Sequence, residues 1–169
     1  MSPTDITLLG STGALGRRVL GVLLGAPDRF RVVGLAAGTQ GDRLEAQADR
    51  CEARFGARPR GGLGEAALRD LAAAPAAGRV VCCVSGLAAW PALRAAAESG
   101  HDVVASSKEC LALTGPWLRT RLAETGGRLR VLDSELTAAQ WLMDTPGDAA
   151  RARLILPASG GPLRGRARA

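Results

Sequence analysis

The sequence predicts an α/β protein whose strands form one doubly wound parallel sheet. Short apolar runs alternate along its 169 residues with longer segments in which apolar residues recur at helical spacing. The short runs are apolar on both faces, which is typical of parallel strands covered by helices on either side. A glycine-rich turn follows the first run and leads into the first helical segment, as in nucleotide-binding βαβ units. We therefore predict a single Rossmann-like domain.

The individual elements follow from periodicity and from the glycines and prolines that interrupt it. Strands are predicted at 5–10, 30–38, 79–86, 101–107 and 128–133, with a further strand and its loop at 151–161. One helix is predicted after the glycine-rich turn, with apolar residues at 15, 19, 20, 23 and 24, and a second has Leu44, Ala48, Cys51 and Phe55 on one face. Further helices are predicted at 65–73, 88–99, 116–125 and 134–144. The stretch 56–64 reads as a loop, and Pro116 as the first turn of its helix.

The charge pattern argues against nucleic-acid binding, although the net charge is +6. Residues 1–150 contain 17 Lys or Arg and 16 Asp or Glu, whereas residues 151–169 contain five Arg and no acid. The excess therefore lies in a short tail, which is more typical of a solvated end. No apolar run approaches the ~20 residues that span a membrane, and no signal peptide is recognised. We expect a cytoplasmic protein that binds neither nucleic acid nor membrane.

The four cysteines do not form a metal-binding or disulfide pattern. They are Cys51, Cys82, Cys83 and Cys110; no C-x-x-C occurs, and His101 is the sole histidine in the sequence. A zinc site is therefore not expected. Cys82 and Cys83 lie in a predicted buried strand, where cysteine behaves as a small hydrophobe.

The stretch "LLGSTGALG" predicts a phosphate-binding loop. Its glycines stand at 10, 13 and 16, so the spacing is G-x-x-G-x-x-G rather than G-x-G-x-x-G. Gly10 would permit the turn, Gly13 would let the backbone approach a pyrophosphate, and Gly16 would let the helix pack closely. The N–H groups at the positive end of the helix would face the phosphates; they belong to Thr12, Gly13, Ala14 and Leu15. The alternative is an ordinary tight strand–helix turn.

The segment after the second strand favours NADP over NAD. NAD-binding folds commonly place an acid there to hold the ribose 2′-hydroxyl. Here the segment is "AAGTQGDR", with Thr39 and Gln40 where an acid would stand. Thr39 and Arg43 are able to bind a 2′-phosphate. The alternative is that Arg43 is simply an exposed helix residue.

Lys108 in "SSKEC" is a candidate site residue. The sequence contains 21 Arg and a single Lys, which lies at the carboxyl end of a predicted strand. In α/β sheets that end binds ligands. A compact ammonium suits a carbonyl or phosphate contact or a proton donor. The alternative is an incidental surface lysine.

Two acids in "LDSEL" are candidate metal ligands. Asp133 and Glu135 are two residues apart after another predicted strand, and in extended chain such side chains point the same way. Two carboxylates suit Mg²⁺ or Mn²⁺. The alternative is a helix N-terminus with Asp133 or Ser134 as the cap and Glu135 in the first turn.

Five motifs in series resemble one family. "ITLLGSTGALG", "FRVVGLAAG", "ASSKEC", "VLDSE" and "LPASGGPLR" occur in the same order in 1-deoxy-D-xylulose 5-phosphate reductoisomerase. The resemblance implies an NADPH-dependent oxidoreductase of the methylerythritol phosphate route to isoprenoids, which uses Mg²⁺ or Mn²⁺. It also implies a small-molecule substrate that is a hydroxy-ketone or an aldehyde, with a sugar phosphate as a candidate.

The resemblance assigns roles to positions of this sequence. Cofactor binding falls to the glycine loop, to the segment after the second strand and to two residues beside Lys108; these are Gly10, Thr12, Gly13, Ala14, Leu15, Gly38, Thr39, Gln40, Ser107 and Glu109. Lys108 matches a substrate-binding and catalytic lysine, Ser134 and Ser159 match substrate contacts, and Asp133 and Glu135 match metal ligands, Glu135 being also catalytic. Three positions depart from the family pattern: a Lys-Asn pair is more usual at 39–40, Asn at 107 and His at 136.

The resemblance also divides the chain. Residues 1–150 correspond to the NADPH-binding domain, and residues 151–169 to a truncated start of the catalytic domain with a basic tail. Members of the family are longer, and most of their substrate half has no counterpart here. Two readings remain open: an enzyme that keeps its activity through assembly or is narrowed to reduction, and a non-catalytic NADPH-binding module or one part of a split enzyme. A semialdehyde dehydrogenase is disfavoured because His101 and Cys110 lie too early. A homo-oligomer is expected, since the apolar strand 153–157 would need cover.

Overall fold

The structure, a computed structural model, describes residues 2–144. Within that range the strands are β1 (Thr4–Leu9), β2 (Phe30–Ala37), β3 (Arg60–Leu63), β4 (Arg79–Cys82), β5 (Val103–Ala105) and β6 (Leu129–Val131). The helices are α1 (Ala14–Gly25), α2 (Gly41–Phe55), α3 (Gly64–Ala73), α4 (Trp90–Glu98), α5 (Lys108–Thr125) and α6 (Ser134–Asp144), and a 3₁₀ turn (Gly86–Ala89) precedes α4.

The strands form one six-stranded sheet in the order β3-β2-β1-β4-β5-β6. Strand β1 pairs in parallel with both β2 and β4, so that Leu9 lies beside Ala36 on one side and Cys82 on the other. The direction of winding reverses between β1 and β4, and this switch point is where open α/β sheets bind ligands. The predicted Rossmann-like parallel sheet is confirmed.

The sheet is buried on both faces. Leu8 and Leu9 point to opposite faces because they are adjacent in a strand, and neither has any exposed surface. One face carries the core of α3, α4 and α5, which includes Leu93 and Leu118. This two-sided cover explains why the strands are apolar runs rather than alternating ones.

The described residues fall into two compact units that meet in the chain between Arg130 and Val131. The predicted domain boundary at 150/151, the predicted strand at 151–161 and Ser159 lie outside the described residues and stay predictions. Within residues 2–144, no helix has both the length and the apolar character needed to cross a membrane.

The loop predicted at 56–64 is wrong in part, because residues 60–63 form β3. This strand pairs in parallel with β2, placing Arg60 beside Gly34 and Leu63 beside Ala37. Its two glycines have low strand propensity, so its extended conformation depends on the open edge of β2. Gly62 lies against α3, where an added Cβ would come within 2.5 Å of the Ala67 Cβ.

The predicted start of the helix at 116 is also wrong, because α5 begins at Lys108 and contains Pro116 in its interior. The Ser107 side chain accepts a hydrogen bond from the Cys110 N–H and caps the helix. Buried Cys110 and Leu118 anchor α5 on both sides of the proline. Tertiary packing therefore outweighs the helix-breaking tendency of Pro116.

Two leucines test the core assignment. Leu93 on α4 is fully buried, whereas Leu113 on α5 is 71% exposed. We expect Leu93→Ala to lower the free energy of unfolding by about 2–5 kcal/mol, because it removes buried methyl groups and leaves a cavity. The matched change Leu113→Ala should alter it by less than about 0.5 kcal/mol. Denaturant unfolding measures both, and equal losses would contradict the assignment.

Candidate cofactor site

A cleft of about 400 Å³ opens at the switch point of the sheet, beyond the carboxyl ends of β1, β2 and β4. Its walls come from the glycine loop, the residues after β2, the start of α3 and the residues after β4. They are Gly10, Thr12, Gly13, Gly38, Gly64, Glu65, Leu68, Cys83, Val84, Ser85 and Ala88. The location is the one that α/β folds use for nucleotides.

The glycine loop is a tight turn that leads directly from β1 into α1. Gly10 has a φ of 74°, a left-handed conformation that favours glycine. The N–H groups of Gly10 and Ser11 both donate to the Ala36 carbonyl oxygen, at 2.8 and 3.0 Å. The Gly13 N–H donates to the Gly10 carbonyl at 3.1 Å and closes the turn. Helix α1 then begins at Ala14.

Gly13 and Gly16 differ in the reason that a side chain is excluded. At Gly16 an added Cβ would lie 2.1 Å from the Gly10 carbonyl oxygen and would overlap the loop itself. At Gly13 the nearest atom to an added Cβ is 3.4 Å away, and φ is −69°. The fold therefore does not require glycine at 13, whereas a ligand approaching the loop backbone would.

The electrostatics of the loop favour an anion. The first turn of α1 contains no acidic residue, and its N-cap Gly13 offers no capping side chain. The N–H groups of a first helical turn have no intrahelical acceptor and carry the positive end of the helix dipole. Leu15 is exposed, whereas the Thr12 side chain is buried. Gly10, Thr12 and Gly13 thus lie at one wall of the cleft, whereas Ala14 and Leu15 are not among the residues that line it.

The residues after β2 contribute one predicted position to the cleft, whereas Thr39 and Gln40 are exposed and are not among the residues that line it. Gly38 lines it, and Gln40 directly precedes α2. The Arg43 guanidinium donates to the Gln40 side-chain oxygen at 2.9 Å. The structure also brings Glu65 from the first turn of α3 to the same cleft, a carboxylate that the local sequence argument missed. No local motif signals it, because Gly38 and Glu65 are brought together by the pairing of β2 with β3.

The "SSKEC" motif forms the start of α5. Ser107 is 4% exposed, and its hydroxyl lies 3.0 Å from the Gly86 carbonyl oxygen and 3.3 Å from Glu109 Oε2. The same hydroxyl accepts the Cys110 N–H. Lys108 and Glu109 are exposed in the first turn. Ser107 therefore has a capping role in the fold, and its cofactor role stays a prediction.

The "LDSEL" motif forms the start of α6. The Leu136 N–H donates to Asp133 Oδ1 at 2.9 Å, so Asp133 caps the helix and Glu135 lies in its first turn. The expectation of an extended chain here is wrong, because the helix begins at Ser134. Among residues 2–144, no three His, Cys, Asp or Glu side chains cluster as metal ligands. Metal binding by Asp133 and Glu135 stays a prediction.

Cys83 lines the cleft but is not a thiolate. Burial raises the pKa of its thiol to about 12, and the neighbouring Cys82 adds to the increase. Burial likewise raises the pKa of Cys82 to about 11. Both thiols are therefore neutral near pH 7 and unsuited to nucleophilic attack.

Comparison with known proteins agrees with this architecture. Residues 6–57 match the family model of 1-deoxy-D-xylulose 5-phosphate reductoisomerase. The chain is 38% identical over 173 residues to the reductoisomerase of Thermomicrobium roseum, an alignment that covers 95% of this chain and 45% of the relative. The relative from Nitratidesulfovibrio vulgaris is 36% identical, with 99% and 45% covered.

A solved structure shares the fold. The reductoisomerase of Zymomonas mobilis in complex with NADPH superimposes with a TM-score of 0.68 at 27% identity, covering 79% of this chain and 39% of that one. The resemblance inferred from the sequence motifs is thus confirmed, and it concerns the NADPH-binding part of those enzymes. The chain spans less than half the length of the curated relatives that it matches.

Proposed function

We propose that this chain binds NADPH in the cleft at the switch point of the sheet. The similar reductoisomerase of Zymomonas mobilis is in complex with the same cofactor. The observation that supports this most directly is the room for a side chain at Gly13, where the nearest atom to an added Cβ lies 3.4 Å away. The fold tolerates a side chain there, yet the sequence has a glycine at the lip of an anion-attracting cleft. A pyrophosphate lying against the loop accounts for that choice.

In this proposal the loop holds the pyrophosphate through its backbone. The N–H groups of Thr12, Ala14 and Leu15 donate to phosphate oxygens at the positive end of α1. The predicted role of the Gly13 N–H is wrong, because this group already donates to the Gly10 carbonyl oxygen at 3.1 Å. Gly10 permits the turn, and the open position at Gly13 brings the backbone within hydrogen-bond reach. These donors suit a phosphate because backbone N–H groups do not titrate, so they can donate at any physiological pH.

The 2′-phosphate would be bound at the end of β2. We assign it to Gly38, Thr39 and Gln40 with the guanidinium of Arg43, which Gln40 already orients at 2.9 Å. The carboxylate of Glu65 opposes this assignment by like-charge repulsion, although its exposure to water weakens the effect. The preference for NADPH over NADH is therefore a balance between Arg43 and Glu65.

We further propose that the chain is the cofactor-binding part of an oxidoreductase of this type, with NADPH supplying a hydride to an aldehyde or ketone. Lys108 would bind the substrate as a compact ammonium, with Glu109 and Ser107 toward the cofactor and Ser134 and Ser159 toward the substrate. Asp133 and Glu135 would supply two oxygen ligands to Mg²⁺ or Mn²⁺, a cation that holds substrate oxygens and stabilises developing negative charge. A homo-oligomer stays part of this proposal.

A second candidate is NADPH binding without turnover. One observation favours it: in the described part of the chain, no third His, Cys, Asp or Glu joins Asp133 and Glu135 as a candidate metal ligand. Two carboxylates fill only a fraction of the six or more oxygen positions that these cations need. Substrate oxygens or another protein segment would have to complete the shell.

The cofactor preference tests the 2′-phosphate assignment. We expect tighter binding of NADPH than of NADH by isothermal titration calorimetry. Arg43→Ala should reduce the preference by about tenfold, the loss of one charge-assisted contact. Glu65→Gln should increase it, because a repelling charge is removed. Equal affinities for the two cofactors in all three proteins would contradict the assignment.

The glycine at the lip of the cleft tests the pyrophosphate position. Gly13→Val should weaken NADPH binding by about 100-fold or more, because its methyl groups occupy the space of the pyrophosphate. The fold should remain, since an added Cβ has room. Gly21→Val on α1, where an added Cβ meets nothing within 4 Å, is the matched control and should bind normally. Normal NADPH binding by Gly13→Val would contradict the pyrophosphate position and would show that the loop is an ordinary strand–helix turn.

The metal and the lysine are tested by turnover. Asparagine also caps helices, so Asp133→Asn should preserve α6 while removing a carboxylate ligand. We expect it to abolish Mn²⁺-dependent NADPH consumption with 1-deoxyxylulose 5-phosphate, with NADPH affinity unchanged. Lys108→Arg should also lower turnover, because a guanidinium does not replace a compact ammonium.

The outcomes of this assay separate the candidates. Variants as active as an active wild type would show that Asp133 and Lys108 are structural residues. An inactive wild type that binds NADPH would favour the non-catalytic module.

A further inference from the structure

Gln47 is a buried polar residue on the otherwise apolar face of α2. Its side chain is 6% exposed and lies in the same helix face as Leu44, Ala48 and Cys51. Its Nε2 donates to the carbonyl oxygen of Ser11 at 2.9 Å, across 36 residues of chain. Gln47 is therefore tied to the middle of the glycine loop.

The contact determines which way one peptide plane of the loop faces. The Ser11 carbonyl and the Thr12 N–H belong to the same planar trans peptide unit, in which the two groups point in opposite directions. Since Gln47 holds the carbonyl toward α2, the Thr12 N–H points away from α2. Thr12 lines the cleft, whereas Ser11 is fully buried and does not.

The neighbouring backbone groups of the loop have other partners, and the hydrogen bond that orients the 11–12 peptide plane comes from Gln47. The neighbouring Gly10 carbonyl is engaged by the Gly13 N–H, and the Gly10 and Ser11 N–H groups are engaged by Ala36. Rotation of the 11–12 plane would turn the Ser11 carbonyl oxygen toward the cleft. A carbonyl oxygen there would repel a phosphate instead of donating to it.

The identity of the side chain also indicates a purpose other than stability. Gln47 Oε1 and Ser11 Oγ are both buried and make no hydrogen bond within the described residues. Such unpaired buried atoms are costly to the fold. The amide orientation is fixed, because the reverse one would face Oε1 against the Ser11 carbonyl oxygen.

We propose that Gln47 is a positioning residue for the cofactor loop: it fixes the 11–12 peptide plane so that the Thr12 N–H donates to the pyrophosphate. This inference rests on the proposed binding of NADPH and deepens it. Gln47 does not touch the nucleotide; it acts through the Ser11 carbonyl.

The test uses the full chain, NADP⁺ and adenosine 2′-monophosphate, a fragment without the pyrophosphate. Gln47→Leu keeps the approximate volume and removes the donor. We expect NADP⁺ to bind about tenfold more weakly and the fragment to bind as in the wild type. The control Thr7→Val removes a similar buried side-chain-to-carbonyl bond, from Thr7 Oγ1 to Ala77 at 2.9 Å, and should bind both ligands normally.

A second variant, Gln47→Glu, supplies a pH readout. Its ionised carboxylate repels the Ser11 carbonyl, whereas its protonated form donates to it. Burial raises the pKa of such a carboxyl, so the affinity for NADP⁺ relative to wild type should recover as pH falls from about 8 to about 5.5. Taking the ratio at each pH cancels the titration of the 2′-phosphate itself.

The outcomes are distinguishable. A wild type that binds neither ligand overturns the proposed function, and with it the role of Gln47. A wild type that binds NADP⁺, with Gln47→Leu binding equally well, overturns the positioning role alone. Equal loss of NADP⁺ and fragment binding, or a flat ratio for Gln47→Glu, would also overturn it, because a loosened fold and not a turned peptide plane would then be the cause.

Discussion

The proposed cofactor site depends on one close backbone contact, between the start of α1 and the turn that precedes it. An added Cβ at Gly16 would lie 2.1 Å from the Gly10 carbonyl oxygen, which is too close for any residue other than glycine. This approach lets α1 leave the turn at once, with its positive end directed at the loop. The Gly13 N–H can then close the turn on the same oxygen at 3.1 Å. Without glycine at 16 the helix would stand off from the sheet, and the cleft would lose one wall.

The rest of the sheet supports that contact. Strand β1 lies between β2 and β4, and the Ala36 carbonyl of β2 receives both Gly10 and Ser11 N–H groups. Helix α2 adds Gln47 from behind the loop. The loop is thus held by two elements, β2 and α2, that are distant from it in sequence. Its backbone donors are arranged before any ligand arrives, which lowers the entropic cost of binding.

Polar residues that follow two other strands cap helices, and this role is compatible with ligand binding. Ser107 caps α5 and Asp133 caps α6, each by accepting a backbone N–H. A cap places its neighbours in a first helical turn. Lys108 and Glu135 are therefore presented by defined helix starts, not by loose loops. The capping role and a ligand role do not exclude each other, since a carboxylate has two oxygens.

The sequence by itself determined the parallel sheet, most of the helices and the loop, because each depends on local patterning. Apolar runs, helical spacing and glycines are read directly from neighbouring residues, and the motif series carried the family resemblance. Tertiary structure decided what depends on distant pairing. Strand β3 is extended because β2 offers it an edge, and α5 continues through Pro116 because its buried residues pack on both sides. Glu65 lines the cleft and Gln47 binds the loop because folding brings together residues that no local pattern connects.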